Sequence, residues 1–156
     1  PDEMRRRVEE VLERHVWLVA CRDDDVVGYA YGCPHRSRAA YRWSVDTTVY
    51  LEPSSHRRGI ARRLYGALLA ILARQRYVNV YAGITLPNPA SVGFHEAMGF
   101  APVAVYRRVG HKQGSWHDVG WWGRALREVA GEPEEPLRLG DLDAAEVLAS
   151  LALKRD

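Results

Sequence analysis

Along residues 2–15, Met4, Val8, Val11 and Leu12 recur three and four apart among charged neighbours, the spacing of an amphipathic helix. Residues 16–22 and 26–33 are rich in β-branched and aromatic side chains, and Asp23–Asp25 between them predicts a hairpin turn. A basic loop over 34–42 leads into a third strand-like run, 43–53, that Pro53 ends. From about Arg57 to Arg74, Ile60, Leu64, Leu68, Ile71 and Leu72 step by three and four, predicting a helix buried on one side. Residues 78–85 read as a strand, and 86–89 as a turn opening a helix over 89–98 that Gly99 stops. Two closing strands, 101–110 and 115–126, are expected to flank a loop holding Gly110 and Gly114.

The order is α-β-β-β-α-β-α-β-β. Hairpins at both ends flank a central β-α-β unit, which implies an α/β fold with a mixed, mostly antiparallel sheet and helices on both faces. After Gly131 the composition changes. GEPEEP reads as a linker and 139–155 as a short helix capped by Asp141, so the expected division is a domain over 1–130 and a linker with helical tail over 131–156. At 156 residues the chain is long enough for a substantial core.

Composition narrows the chemistry. A net charge of +2 is too small to suggest nucleic acid as the partner, and no apolar run approaches the roughly 18 residues needed to span a membrane. The two cysteines, Cys21 and Cys33, are read as reduced core thiols of a cytoplasmic protein. The six histidines show no metal-ligand spacing, so no metal is expected.

The chemistry-bearing feature is the strand-to-helix junction HRRGIARR. Gly59 and Ala61 keep the turn small where the first amides of a helix lack internal partners. A phosphate can lie against those amides, with Arg57, Arg58, Arg62 and Arg63 around it. By itself the pattern equally fits a tight turn edged by solvated arginines.

Two segments in order narrow that choice. VYLEPSSHRRGIARRLY resembles the acetyl-CoA motif of the GNAT superfamily of N-acetyltransferases, Q/R-x-x-G-x-G/A, with His56 in place of the usual first residue. NPASVGFHEAMGF (88–100) resembles the superfamily's second signature. With AYRWSVDTTVYLEP and HKQGSWHDVGWW, the chain from about Pro1 to Leu126 looks like the phosphinothricin and methionine sulfone N-acetyltransferase family. Members normally begin with a further strand and helix, which are lacking here. The tail PLRLGDLDAAEVLASLAL loosely resembles that opening.

The resemblance implies an acetyl-CoA-dependent N-acetyltransferase acting by direct transfer on the amine of a small amino-acid-like substrate, with homodimerisation expected. It implies that Arg57, Arg58, Gly59, Ile60, Ala61 and Arg62 hold the pyrophosphate and that backbone groups of Val49, Tyr50 and Leu51 pair with the CoA arm. Strand 43–53 would then splay from 78–85, with a β-bulge near 49–51. Asn88 and Ser91 are further CoA contacts. Asp46, mid-strand where carboxylates are depleted, is the candidate base at a position the family fills with glutamate. His95 shares a helix face with Asn88 and Ser91 and is the second catalytic candidate, as proton acceptor or donor. Arg36 and Arg38 suit an acceptor carboxylate, though a solvated basic loop fits them as well. Tyr41 and Trp43 would wall the amine pocket, and the other tryptophans read as core or dimer surface. His117 and Asp118, adjacent on a strand, point to opposite faces and cannot share a site. The competing readings are another amine acceptor (a protein N-terminus, polyamine or aminoglycoside) and a non-catalytic CoA-binding dimeric module.

Overall fold

A computed structural model describes residues 2–152. The elements run α1 (Asp2–Leu12), β1 (Trp17–Arg22), β2 (Asp25–Pro34), β3 (Ser44–Leu51), α2 (Ile60–Arg74), β4 (Asn79–Thr85), α3 (Pro89–Ala97), β5 (Ala101–Lys112), β6 (Ser115–Ala125) and α4 (Ala144–Leu151). The strands form one six-stranded sheet in the order β1-β2-β3-β4-β6-β5. Only β3 and β4, linked through α2, run parallel. The mixed sheet and the element order are those the sequence predicts.

The long apolar stripe of α2 places the core. Leu64, Tyr65, Leu68, Leu69, Ile71 and Leu72 are buried against one face of the sheet. Strand alternation supplies that face with Ala30 of β2, Val45 of β3, Val80, Ala82 and Ile84 of β4, and Trp122 of β6. Each fully buried Leu, Ile or Val side chain here contributes about 1.5–3 kcal/mol. α1 lies across the opposite face, where its Arg7 hydrogen bonds to the Tyr31 hydroxyl and stands over the ring. Tyr31 is one residue out of phase with Ala30, so helices cover both faces. α3 returns to the α2 face, and Gly99 ends it in the left-handed conformation (φ 83°) as its position predicts.

Several local expectations are corrected. Cys21 is exposed rather than core, because β1 is an edge strand whose register slips between Ala20 and Cys21. In α1 only Val11 is buried, while Met4 and Leu12 are exposed. Gly110 belongs to β5, paired with His117, so the hairpin turn is confined to Gln113 and Gly114. Asp143, not Asp141, caps α4, accepting from the amide of Ala145 at 2.8 Å. Asp141 instead accepts from Arg138 N at 3.0 Å. The end of the predicted tail helix, 153–155, lies outside the described residues.

The acidic stretch after Gly131 is stitched to the domain. Trp43 Nε1 donates to Glu134 O at 2.9 Å and Arg42 pairs with Glu135 at 2.6 Å. Leu139, Leu142 and Val147 pack against the core. Among the described residues the tail adds no strand to the sheet. Its central fastening is Gln75, which has no exposed surface and whose side-chain amide donates to Arg14 O at 2.9 Å and Leu137 O at 3.0 Å. One buried residue thereby ties the end of α1, the end of α2 and the tail together. Gln75→Met keeps the volume and removes both donations. The expected loss is about 1–3 kcal/mol, read from the urea unfolding midpoint.

Candidate active site

The site begins where two strands part. Glu52 N donates to Val27 O, and Ser44 O accepts from His35 N. Antiparallel alternation therefore commits the even-numbered residues of β3 to β2. The odd-numbered residues turn their backbone groups towards β4. That parallel ladder holds only from Ser44–Asn79 to Asp46–Tyr81. β4 continues to Thr85, but it stays with β6 through the pair Thr85–Val119, and so leaves β3. The backbone groups of Val49 and Leu51 consequently face a fork. The splay is the one expected, yet no bulge makes it: the β2–β3 register runs unbroken from Gly28–Leu51 to Pro34–Val45. Tyr50 turns its backbone to β2 and stacks its ring on Tyr29 at 5.4 Å.

Thr47 clasps the apex of the fork. Its hydroxyl lies 3.0 Å from Tyr81 O and 2.7 Å from the Tyr65 hydroxyl. A carbonyl only accepts, so Thr47 donates to Tyr81 O and the Tyr65 O–H donates to Thr47. Tyr65 has no exposed surface, and burial pushes its phenol well above the ordinary range.

Past the open end of β3 comes the glycine turn. Arg57 (φ 59°) and Gly59 (φ 73°) both take the left-handed conformation, Gly59 at the N-cap of α2 with no side chain capping it. A Cβ on Gly59 would meet nothing within 4 Å, and the first amides of α2, from Ile60, Ala61 and Arg62, lack intrahelical acceptors. Arg57, Arg58 and Arg62 are exposed around them. His56 Nε2 donates to Leu51 O at 3.1 Å, which occupies one carbonyl of the fork and leaves Val49 as its open backbone edge. Helix dipole, free amides and guanidinium groups together suit a pyrophosphate.

The two catalytic candidates stand on opposite faces of the sheet. Asp46 is on the α1 face, its Oδ1 2.5 Å from His35 Nδ1. Burial raises the Asp46 pKa, against the lowering effects of the His35 hydrogen bond and of Arg36. His35 stacks on Tyr81 at 4.6 Å and meets the edges of Trp121 and Tyr41 at 5.9 and 6.3 Å. The Arg36 guanidinium lies 5.9 Å from the Trp121 ring. Trp121, read from sequence as core or dimer surface, thus walls this site, and its Nε1 is buried without an acceptor. A cavity of about 480 Å³ adjoins, sharing Arg36 and Tyr41 and lined also by Arg14, Arg38 and Arg42. Trp43 is turned to the tail, with Arg42 over its ring at 5.3 Å.

His95 is on the α2 face, 5% exposed and boxed by Tyr65, Phe94 and Phe100. Its Nδ1 donates to Ser91 O at 2.8 Å, since a carbonyl only accepts. Burial lowers its pKa, so the ring is neutral and Nε2 is a bare, buried acceptor without a partner. Asn88 spends its Oδ1 on capping α3 through Ser91 N at 3.1 Å. His117 and Asp118 do have separate partners, Lys112 O for one and Arg107 and Arg108 for the other.

Sequence reasoning missed two residues. His35 was passed over as loop, though it follows β2 and lies diagonal to Asp46, because His35 pairs with Ser44. Cys33 is the register partner of Asp46, not distant from the chemistry. Burial and the Asp46 carboxylate push its thiol up to about 11, which makes it a poor nucleophile near neutrality.

A forked sheet with an open glycine turn at the start of the following helix defines an acyl-CoA-type transferase site, and comparison with known proteins agrees. The family model for the acetyltransferase (GNAT) domain matches residues 2–121, and the chain belongs to that family. It is 40% identical over 138 residues to the phosphinothricin N-acetyltransferase of Streptomyces viridochromogenes, covering 88% of this chain and 74% of that protein. It is 33% identical to the L-methionine sulfoximine/L-methionine sulfone acetyltransferase of Salmonella typhimurium, covering 72% of this chain and 66% of the relative. Among solved structures, a phosphinothricin acetyltransferase from Sinorhizobium meliloti in complex with acetyl-CoA superposes with a TM-score of 0.81 at 30% identity, over 87% of this chain and 75% of that one.

The clasp at the fork can be tested directly. Thr47→Val strands the buried Tyr65 hydroxyl and should cost about 1–3 kcal/mol in unfolding free energy. The Thr47→Val/Tyr65→Phe double variant should lose less than the sum of the singles, since both act on one hydrogen bond.

Proposed function

We propose that the chain transfers the acetyl group of acetyl-CoA to the primary amine of a small amino-acid-like acceptor of the phosphinothricin or methionine sulfone type. The observation that carries this reading is the fork between β3 and β4, with Val49 at its edge and the amides of Ile60, Ala61 and Arg62 lacking intrahelical acceptors beyond it. The donor residues fit the group. Helix amides with Arg57, Arg58 and Arg62 hold the pyrophosphate, Val49 pairs with the amide-bearing arm, and Ser91 is a further contact on α3. The thioester supplies the activated acyl carbon, and an amide N–H in the fork is suited to its oxyanion.

The cavity lined by Arg14, Arg36, Arg38 and Arg42, with Glu135 paired to Arg42, receives the acceptor, Arg36 and Arg38 pairing to its carboxylate. That wall disfavours a polyamine or aminoglycoside. Transfer is direct: burial makes the Cys33 thiol a poor nucleophile near neutrality, and Cys21 lies exposed on edge strand β1. Among the described residues, no helix is long and apolar enough to cross a membrane. The homodimer expected for the family has a suitable surface in edge strand β5, where Val103, Val105, Tyr106 and Val109 are exposed. His95, its Nε2 unpartnered inside an aromatic box, walls the α2 face of the site.

Two measurements test the reading. Gly59→Val forces a branched side chain into φ 73° over the helix amides. CoA affinity by calorimetry should fall about tenfold or more, equivalent to about 1.4 kcal/mol, and an unchanged affinity would remove the turn from the site. Thiol release should be seen with phosphinothricin or methionine sulfone. Arg38→Ala should raise KM for those acceptors by about tenfold, consistent with loss of a charge-assisted contact, and leave KM for a carboxylate-free amine unchanged. CoA binding with no turnover of any amine would favour the non-catalytic module.

A further inference from the structure

We propose that His35 is the general base of the reaction and that Asp46 is a positioning residue acting through it. The proposal rests on the acetyltransferase reading above and gives the base a different address from the residue the strand pattern suggests.

The geometry is that of an oriented imidazole. Asp46 Oδ1 lies 2.5 Å from His35 Nδ1, with the two side chains 23% and 17% exposed. An aspartate committed at that distance has its near oxygen occupied. The nitrogen left over is His35 Nε2, which has no partner among the described residues. The ring is fixed by Tyr81 on its face and by Trp121 and Tyr41 at its edges. Tyr81 and Asp46 are the last register pair before β3 and β4 part, so the imidazole stands at the apex of the fork. Its neighbours Arg36 and Tyr41 also line the cavity assigned to the acceptor. Arg36 and Tyr41 thus connect the dyad at the apex to that cavity.

The step balances simply. The acceptor ammonium gives one proton to His35 Nε2, and Asp46 holds the resulting imidazolium through Nδ1–H. The neutral amine forms the new N–C bond to the acyl carbon. The C–S bond then breaks, and the second amine proton ends on the departing sulfur, leaving an N-acetyl product and free thiol. His35 returns its proton to water. No oxidant or further reactant is needed.

Other groups facing the dyad are Cys33 from β2, Tyr81 from β4, and Arg36 and Tyr41 from the loop. The Cys33 thiol, pushed up to about 11, stays neutral over the working range, and the Arg36 guanidinium is permanently cationic.

The test uses the whole chain, acetyl-CoA and methionine sulfone, with thiol release as readout. Unaltered chain is assayed first. Inactivity on every amine overturns the acetyltransferase reading and this proposal with it. In an active chain, His35→Phe keeps the stacked ring and removes both nitrogens, and kcat should fall by about 10²–10⁴-fold, the range of general-base catalysis. CoA affinity should hold, and the variant should remain folded at the assay temperature. The wild-type rate should level off as pH rises. The His35→Phe rate should instead climb about tenfold per pH unit without a plateau, because only the free amine then reacts, a change that loss of packing would not produce. Asp46→Asn should lower kcat, Asp46→Glu should restore part of it, and Asp46→Asn/His35→Phe should be no slower than the slower single, as for residues acting as a unit. If His35→Phe does not fold, His35→Gln keeps a donor to Asp46 without a basic nitrogen and carries the same expectations. Retention of kcat within threefold in the folded histidine variant, with loss confined to Asp46→Asn, would overturn the proposal and return the base to Asp46.

Discussion

The parting of β3 from β4 is the constraint on which the rest depends. A sheet normally satisfies its backbone by pairing along its full length. Here β4 is held by β6 through Thr85, while β3 is held by β2 through Leu51. The two strands follow different partners, and their own ladder stops at Asp46–Tyr81. The unpaired edge that results is a cost to the fold and an opportunity for a ligand. An extended amide-bearing molecule can take the place of the missing strand segment, which is β-augmentation at a fork rather than at an edge.

The apex has to be held, or the fork would close or spread. Thr47 does this with one hydroxyl, donating to Tyr81 across the strands and accepting from Tyr65 of α2. The helix that carries the clasp also presents its open N-terminus beyond the strand ends. Cofactor turn, fork and core are therefore registered by one helix, whose position is fixed by the apolar stripe from Leu64 to Leu72. Stability and geometry come from the same residues.

Much of this was legible in the chain. The element order, the single parallel pair and the glycine turn follow from local periodicity and from Gly59 and Ala61, because those signals are carried by neighbours in sequence. What was not legible depends on pairs distant in sequence. Asp46 and His95 are both catalytic candidates from the sequence, but only the alternation of β3 against the placement of α3 puts them on opposite faces. Cys33 comes opposite Asp46 through the register of a hairpin with a long loop, and a shift of one residue would have sent its thiol to the other face. GEPEEP reads as a linker because it is polar; its fastening comes from Arg42, Trp43 and Gln75, which the local composition does not reveal.

The two-sidedness of the site has a mechanistic consequence. The Asp46–His35 pair occupies the α1 face, whereas His95 and the clasp occupy the α2 face. Proton uptake from an ammonium and proton traffic near the departing sulfur are thereby separated by the thickness of the sheet, with the reacting carbon expected between them at the apex. His95 cannot reach the acceptor cavity from within its aromatic box, and its bare Nε2 suits it to receive rather than supply a proton. The second amine proton is then the natural source for the sulfur. It travels within the tetrahedral adduct itself, so the α2 face needs a dry, neutral wall more than an acid, and Tyr65, Phe94 and Phe100 around a neutral imidazole are such a wall.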